Sequence, residues 1–342
     1  MITGNTGFKG AWLSLWLTKL GATVFGYSLN TPSKPNMFDA LDLMHHKEIT
    51  TEICGDIRNR NNLSLMFNMF KPEIVFHLAA QTIVSRSFKM PINTFETNVI
   101  GTANVLQTIK EMPSVKAAVI VTSDKCYKNK ELKKGYCEYD ELGGDDPYSA
   151  SKACAELVVK AYRKSFKLQA VTVRAGNCIG GGDWEYRVLP EFIRHLVENK
   201  SFRVYAPKSV RPWQFVLEPL YGYLLVGAKM LENGKAFTKE FNGSWNFGPP
   251  EKDVHTTEEL IKKVIEHWKS GTYVCIPEDT LETGTLLLNS DKARRLLGWK
   301  IIYDFNTAVK KTVDWYKAYY NKENMYNFSL EQITEYISDV KQ

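Results

Sequence analysis

Tyr148 and Lys152 stand four residues apart in Tyr148-Ser149-Ala150-Ser151-Lys152. On a helix that spacing puts a phenol and an ammonium one turn apart on one face. A lysine beside a phenol stabilises the phenolate and lowers a pKa that starts near ~10, and a nicotinamide cation nearby would lower it further. The pair reads as a general base for taking a proton from an alcohol. Upstream, Thr122-Ser123-Asp124-Lys125 closes the apolar run Ala117–Val121, which reads as a strand buried on both faces. A hydroxyl, a carboxyl and a second ammonium therefore sit at a strand's carboxyl end, the edge where open α/β sheets bind ligands. A Y-x-x-x-K pair alone is usually an exposed helix pair. The strand ending in Ser123-Asp124 just before it singles this one out.

A second cluster lies at the start of the numbering. Thr3-Gly4-Asn5-Thr6-Gly7-Phe8-Lys9-Gly10 reads G-x-x-G-x-x-G and runs into an apolar helix pattern over Ala11–Leu20. Gly4 permits a sharp turn, Gly7 a close backbone approach to pyrophosphate, and Gly10 close packing of helix on sheet. The helix start offers free N–H groups and partial positive charge to phosphate. Only Met1 and Ile2 precede Thr3, whereas a strand ordinarily has ~5–6 residues. The first strand is thus very short or continues upstream of the numbering.

The elements that must position these groups follow in order. Ala22–Leu29 reads as a second strand, and Ser28, Leu29, Asn30 and Thr31 at its end include no carboxylate for an adenine ribose. NAD versus NADP stays open at that point. Glu48–Ile53 reads as a strand. Asp56 beyond it could accept from an adenine amino group or cap the helix Leu63–Phe70. Glu73–Gln81 is a fourth strand, in which Ala79 and Ala80 would let a cofactor lie close and His77 reads as a satisfied strand histidine. A helix after Pro91 carries Asn98. Leu168–Val173 is a sixth strand, and the glycines Gly180-Gly181-Gly182 beyond it point to backbone contact with a ligand.

After Gly176 the alternation loosens. Arg187, with a helix over Leu189–Glu198, and Arg211-Pro212-Trp213-Gln214 look like walls of a second site and a diphosphate clamp. Val216–Leu231 reads as strand then helix returning to the first unit. Helices follow at Thr257–Trp268, near Asp291, at Thr307–Tyr320 and at Leu330–Ile337, with strand-like pieces at Tyr273–Ile276 and Leu286–Leu288. The fold expected is α/β: a Rossmann-type doubly wound parallel sheet with a smaller α/β C-terminal substrate domain. The boundaries expected are 1–176 plus about 212–240 for the dinucleotide unit, and 177–211 plus about 241–342 for the substrate unit.

Composition agrees with an ordinary globular chain: 342 residues, 44% apolar and 24% charged, with a net charge of +6 that is spread rather than gathered. The spread charge is that of a solvated surface with mild attraction for anions, and no nucleic-acid motif is present. No apolar run approaches the ~20 residues that span a bilayer. No charged leader with an apolar core marks a signal peptide. The six cysteines (Cys54, Cys126, Cys137, Cys154, Cys178, Cys275) form no C-x-x-C and no metal-like cluster. The expectation is a reducing cytoplasm, without structural disulfides or metal.

The chain resembles the extended short-chain dehydrogenase/reductase family, and within it the CDP-glucose 4,6-dehydratase branch. The likeness runs over Thr3–Gly10 with Trp12, Gly55–Arg58, His77–Gln81, Thr122–Tyr127, Gly143–Lys152, Ala175–Trp184 and Arg211–Pro219. Ser-Asp-Lys-Cys-Tyr is its most specific stretch, since dTDP-glucose dehydratases carry Thr-Asp-Glu there. The resemblance implies NAD held by Gly4, Thr6, Gly7, Phe8, Lys9, Gly10, Asp56, Ile57, Leu78, Ala79, Ala80, Gln81, Asn98, Tyr148 and Lys152. It implies a nucleotide sugar, CDP-glucose, held by Arg86, Asn177, Arg187, Arg211 and Gln214. It further implies that Tyr148 with Lys152 deprotonates the C4 hydroxyl, that Ser123 bonds the C4 oxygen, and that Asp124 protonates the leaving C6 hydroxyl. Lys125 would help remove the C5 proton or stabilise the enolate as a cation. A homodimer or homotetramer built through helix pairing, and a product destined for bacterial surface deoxysugars such as lipopolysaccharide O-antigen, also follow from the resemblance.

Two other readings remain open on sequence. One is a dTDP- or UDP-sugar 4,6-dehydratase or a 4-epimerase of the same family; Lys125 argues against the dTDP enzymes and Asp124 against an epimerase. The other is a sensor that binds NAD or a nucleotide sugar without turnover, which would not need to retain Ser123, Tyr148 and Lys152.

Overall fold

The structure, a computed structural model, describes residues 1–53, 55–132, 134–233, 241–276 and 286–342. Cys54, the boundary near 240 and the stretch Leu281–Thr285 lie outside the described residues.

The first half alternates strand and helix. It runs β1 (Ile2–Thr3), α1 (Phe8–Lys19), β2 (Val24–Ser28), α2 (Met37–Ala40), β3 (Ile49–Ile53) and α3 (Arg60–Phe70). It continues through β4 (Ile74–His77), α4 (Val84–Lys89), α5 (Pro91–Phe95), α6 (Thr102–Glu111), β5 (Ala117–Val121), α7 (Pro147–Phe166) and β6 (Ala170–Ala175). Next come β7 (Cys178–Ile179), α8 (Val188–Val197), β8 (Phe202–Tyr205), β9 (Val210–Arg211), β10 (Gln214–Phe215), α9 (Leu217–Asn233) and β11 (Ser244–Phe247). The chain closes with β12 (His255–Thr256), α10 (Thr257–Trp268), β13 (Tyr273–Ile276), α11 (Asp291–Leu297), α12 (Phe305–Tyr320) and α13 (Met325–Val340).

Seven strands form one parallel sheet in the order β11-β6-β5-β4-β1-β2-β3. The order reverses between β1 and β4, which opens the ligand crevice of a doubly wound fold at their carboxyl ends. β1 has only two residues yet lies at the centre of the sheet, Ile2 opposite both Gly26 and Phe76. Strands β5 and β6 are buried almost throughout, as a parallel strand covered on both faces must be. β11 pairs with β6 residue for residue, Ser244 with Thr172 through Phe247 with Ala175. The sheet therefore takes in residues that the sequence boundary at about 241 assigns to the second unit.

The remaining strands pair in twos: β7 with β10, β9 with β12, and β8 with β13. Two expectations differ here. Leu286–Leu288 forms no strand; Leu288 makes a single bridge to Tyr136. The last helix is also longer than expected. By contrast α10 starts as its sequence predicts, with Thr256 and Glu259 in a reciprocal capping box.

One core unites the two units. α1 is buried continuously from Gly10 to Trp16, and a helix buried all round needs cover on more than one side. The sheet covers one side. On the other, Trp16 meets the ring edge of Tyr336 on α13 at 5.6 Å, and Trp12 Nε1 donates to Gly181 O at 2.9 Å. Glu218 on α9 accepts from the backbone N–H of Tyr303 at 2.8 Å and the Tyr336 hydroxyl at 2.8 Å, joining α9 to the C-terminal helices.

Candidate active site

The turn between β1 and α1 is built for close approach. Gly4 has φ +79°, and a Cβ there would stand 2.7 Å from Ala79 N at the end of β4. A Cβ on Gly10 would stand 2.1 Å from Gly4 O, so α1 can seat on the turn only without one. Ser28 Oγ donates to Asn5 Oδ1 at 2.8 Å and Thr6 Oγ1 donates to Leu29 O at 3.2 Å, which ties the turn to the end of β2. α1 begins at Gly7 with no side-chain cap and no acidic residue in its first turn. Its leading N–H groups thus face the crevice with a partial positive charge and no internal competitor, a cradle that fits a pyrophosphate.

Around this cradle the expected cofactor residues divide. Leu78, Ala79, Ala80 and Gln81 follow β4 beside the turn, with Ala79 N–H on Thr3 Oγ1 at 3.3 Å. Ile57 is buried under Gly101, where a Cβ would stand 2.5 Å from its Cδ1. Asp56 is paired to Arg58 at 2.6 Å, and that bond holds its carboxyl below the usual range. It does not cap α3; Asn59 does, accepting from Asn62 N–H. Asn98 lies in a π-helical stretch, Glu96–Gly101, and its amide is committed to protein groups. Its Oδ1 accepts from Gln81 N–H at 2.8 Å, and its Nδ2 donates to Gln81 O at 3.0 Å and Ser151 Oγ at 2.9 Å. Asn98 thereby braces the β4 end against the helix of Tyr148. His77 is satisfied as expected, between Thr3 Oγ1 at 2.6 Å and Thr102 Oγ1 at 3.0 Å.

At the ends of β5 and β6 the expected chemical groups converge. Ser123 Oγ donates to Asp124 Oδ1 at 2.8 Å, and the Lys125 N–H reaches the same oxygen at 2.9 Å. Asp124 is buried, and its other oxygen faces Gly176, where a Cβ would come within 3.0 Å. Tyr148, near the start of α7, shares a hydrogen bond with Ser123. Lys152 lies a turn further on, its ammonium 3.4 Å from Val121 O. Burial, then the charge of Lys9, pull the Lys152 pKa down to about 8. The Tyr148 phenol moves the other way. Burial raises it, against the Ser123 hydrogen bond and the more distant charges of Arg187 and Lys9. Burial outweighs those lowering effects on the phenol, and the Lys152 ammonium lies against the backbone of β5. Lys9 points from α1 to Cys178 and Tyr223, which places a cation between the cradle and this cluster.

The second wall is more self-contained than its sequence suggests. Arg187 is held by Asp183 at 2.7 Å and Glu185 at 2.9 Å. Arg211 Nη1 donates to Val210 O, Asn177 O accepts from Gln214 N–H, and Arg86 is exposed on α4. Gln214 is buried, with Nε2 on Phe247 O at 3.0 Å and Oε1 unpartnered. The glycine run turns inward: a Cβ on Gly181 would lie 2.0 Å from the Trp315 ring, and one on Gly182 2.2 Å from Met37 Sδ. These glycines admit core side chains on the side where a Cβ would stand.

Sequence reasoning passed over Glu156 and Arg174, a buried ion pair behind the cluster at 2.7 Å. Burial alone would raise the Glu156 pKa, but Arg174 overrides it and holds the carboxylate ionised. The four-residue step from Lys152 to Glu156 along one helix face was the available signal.

A family model described as GDP-mannose 4,6 dehydratase matches residues 1–312. The chain belongs to that family. Among curated relatives, the CDP-glucose 4,6-dehydratase of Salmonella typhimurium is 41% identical, over 98% of this chain and 95% of that protein. The dTDP-glucose 4,6-dehydratase of the same organism is 24% identical over 93% of this chain and 92% of its own length. Among solved structures, DesIV of Streptomyces venezuelae, a dTDP-glucose 4,6-dehydratase with NAD and TYD bound, superposes with a TM-score of 0.78. It covers 94% of this chain and 98% of its own at 23% identity, a likeness of fold.

Proposed function

We propose that this chain is an NAD-dependent lyase that converts CDP-glucose to CDP-4-dehydro-6-deoxy-glucose and water. The observation that carries the reading is the 41% identity to a CDP-glucose 4,6-dehydratase along 98% of the chain. The convergence of Ser123, Asp124, Tyr148 and Lys152 at one sheet edge supports it.

The residues would divide the work as follows. Gly4, Gly7 and the open start of α1 hold the cofactor's pyrophosphate, with Ala79 and Ala80 alongside. When bound, the nicotinamide supplies a hydride acceptor for C4 and, once reduced, a hydride donor for C6; its positive charge also favours the phenolate. Tyr148 takes the C4 hydroxyl proton, with Ser123 on the same oxygen. Lys152, charged below pH about 8, orients the cofactor and supports the phenolate. The resulting 4-ketone acidifies C5–H. Lys125 takes that proton or stabilises the enolate, and Asp124 protonates the departing C6 hydroxyl as water. Carbon is oxidised at C4 and reduced at C6, so no external reductant is consumed. Arg187, Arg211 and Asn177 would receive the nucleotide diphosphate, and Arg187 must then share its charge with Asp183 and Glu185.

No described helix is long and apolar enough to cross a membrane. We assign the protein to the cytoplasm, as a source of deoxysugar nucleotides for surface polysaccharide such as O-antigen. Assembly into a dimer or tetramer is supported by the exposed apolar side chains of Ile92, Ile100 and Leu157 on and beside α5 and α7. Light scattering at the mass of a monomer would refute it.

The deciding experiment incubates the protein with NAD and either CDP-glucose or dTDP-glucose, and records the alkaline absorbance of a 4-keto-6-deoxy sugar nucleotide. A signal with CDP-glucose alone is expected. A signal with dTDP-glucose alone would keep the chemistry and overturn the substrate; silence with both would overturn the reaction.

A further inference from the structure

Behind the cluster lies a buried ion pair that none of the chemical steps uses. Glu156 sits on α7 one turn after Lys152, and Arg174 sits on β6; they are 3% and 1% exposed. Arg174 Nε donates to Glu156 Oε1 at 2.8 Å and Nη2 to Oε2 at 2.7 Å. Thr172 and Ser244 complete the carboxylate, at 2.7 Å and 3.1 Å. Replacing such a pair by apolar side chains of similar volume often leaves a protein as stable or more so. Stability alone is therefore a weak reason for finding one here.

Its outward bonds are more informative. Thr122 Oγ1 donates to Glu156 Oε1 at 2.6 Å. Arg174 Nη1 donates to the Tyr127 hydroxyl, and the guanidinium lies 4.7 Å over the Tyr127 ring. Tyr127 in turn donates to Asn246 Oδ1 at 2.9 Å on β11. Thr122 and Tyr127 are the two residues that bracket Ser123-Asp124-Lys125-Cys126. One member of the pair holds each end of the segment, and the Glu156 end is rigidly joined to Lys152 through a single turn of α7.

We propose that Glu156 and Arg174 are positioning residues: a buried clamp that sets Ser123, Asp124 and Lys125 in register with Tyr148 and Lys152. The inference rests on the roles assigned above to those five residues. The clamp touches neither substrate nor cofactor and acts through the two anchoring hydroxyls and the Tyr127 ring.

Removing Glu156 or Arg174 outright would strand its partner's charge and threaten folding. The test therefore removes the anchors one at a time in the full chain, with Thr122→Val and Tyr127→Phe, and uses Thr122→Ser as the rescue. Misplacing reacting groups by ~1 Å costs on the order of 100-fold in rate. Thr122→Val should lower kcat for CDP-glucose by about 10- to 100-fold at unchanged KM, and Thr122→Ser should restore it. The double variant should lose less than the product of the two single losses, because both anchors serve one clamp. Amide hydrogen exchange supplies a readout that needs no turnover: protection should fall over residues 122–128 and stay constant in α3 and α12. A kcat within twofold of wild type, or unchanged protection over 122–128, would overturn the clamp. Turnover with neither nucleotide sugar, alongside a local loss of protection, would instead overturn the enzymatic reading and leave the clamp standing.

Discussion

His77 carries a burden that pH can expose. It lies in β4 between two threonine hydroxyls, and burial, with a smaller effect from the Lys152 charge, holds its pKa down to about 3 from an ordinary 6.5. A group whose folded pKa is depressed contributes stability above its unfolded pKa and forfeits it as the pH falls towards the folded value. The window here is pH 6.5 down to about 3. Each pH unit within it is worth about 1.4 kcal/mol, so lowering the pH from 6.5 to 5 should remove about 2 kcal/mol through this residue. His77→Gln keeps a donor and an acceptor but cannot titrate. Urea unfolding of both proteins at pH 7 and pH 5 isolates the effect, because every other titrating group is common to them. The wild type should lose about 2 kcal/mol more than the variant over that interval. Parallel losses, within about 0.5 kcal/mol, would show that His77 can take a proton without leaving its site and would refute the argument.

Three further outcomes are expected. Tyr148→Phe should cut single-turnover NADH formation by on the order of 100-fold or more, and an unchanged rate would sink the base assignment. Asp124→Asn should leave C4 oxidation intact and slow the release of water; dehydration at the wild-type rate would remove Asp124 from the acid role. Gly181→Ala forces a methyl to within 2.0 Å of the Trp315 ring, so it should destabilise by about 1–3 kcal/mol in thermal unfolding. If that variant instead keeps its melting temperature and raises KM, the glycine contacts ligand.

What could be read from sequence was what depends on short spacings. The glycine turn, the Tyr148–Lys152 step and the start of α10 at Thr257 are each settled within about seven residues, so local geometry decides them. Less legible were the places where a distant partner decides. Gly180, Gly181 and Gly182 look like a ligand loop, while Val216, Trp315 and Met37 fill the space where their Cβ atoms would stand. Arg187 looks like a free clamp until Asp183 and Glu185 are folded onto it. Asp56 looks like a cap, but Asn59 stands closer to the start of α3. β11 carries no signal of its own that it will extend a sheet begun long before it; only its pairing with β6 reveals that. Glu156 was legible one turn from Lys152, but its meaning needed Arg174 from another strand.

The packing of α1 against α13 has a consequence for how the protein is made. Trp16 finds its cover in Tyr336, about 320 residues later in the chain. At synthesis rates of ~5–20 residues per second, the first helix emerges roughly 15–60 s before its far side can be covered. Throughout that interval a nascent chain would leave the Tyr336 side of Trp16 open to the crowded space around the ribosome. A chain stopped short of Tyr336 would leave that side of Trp16 open indefinitely, so damage to the last helix should be felt first as lost soluble yield.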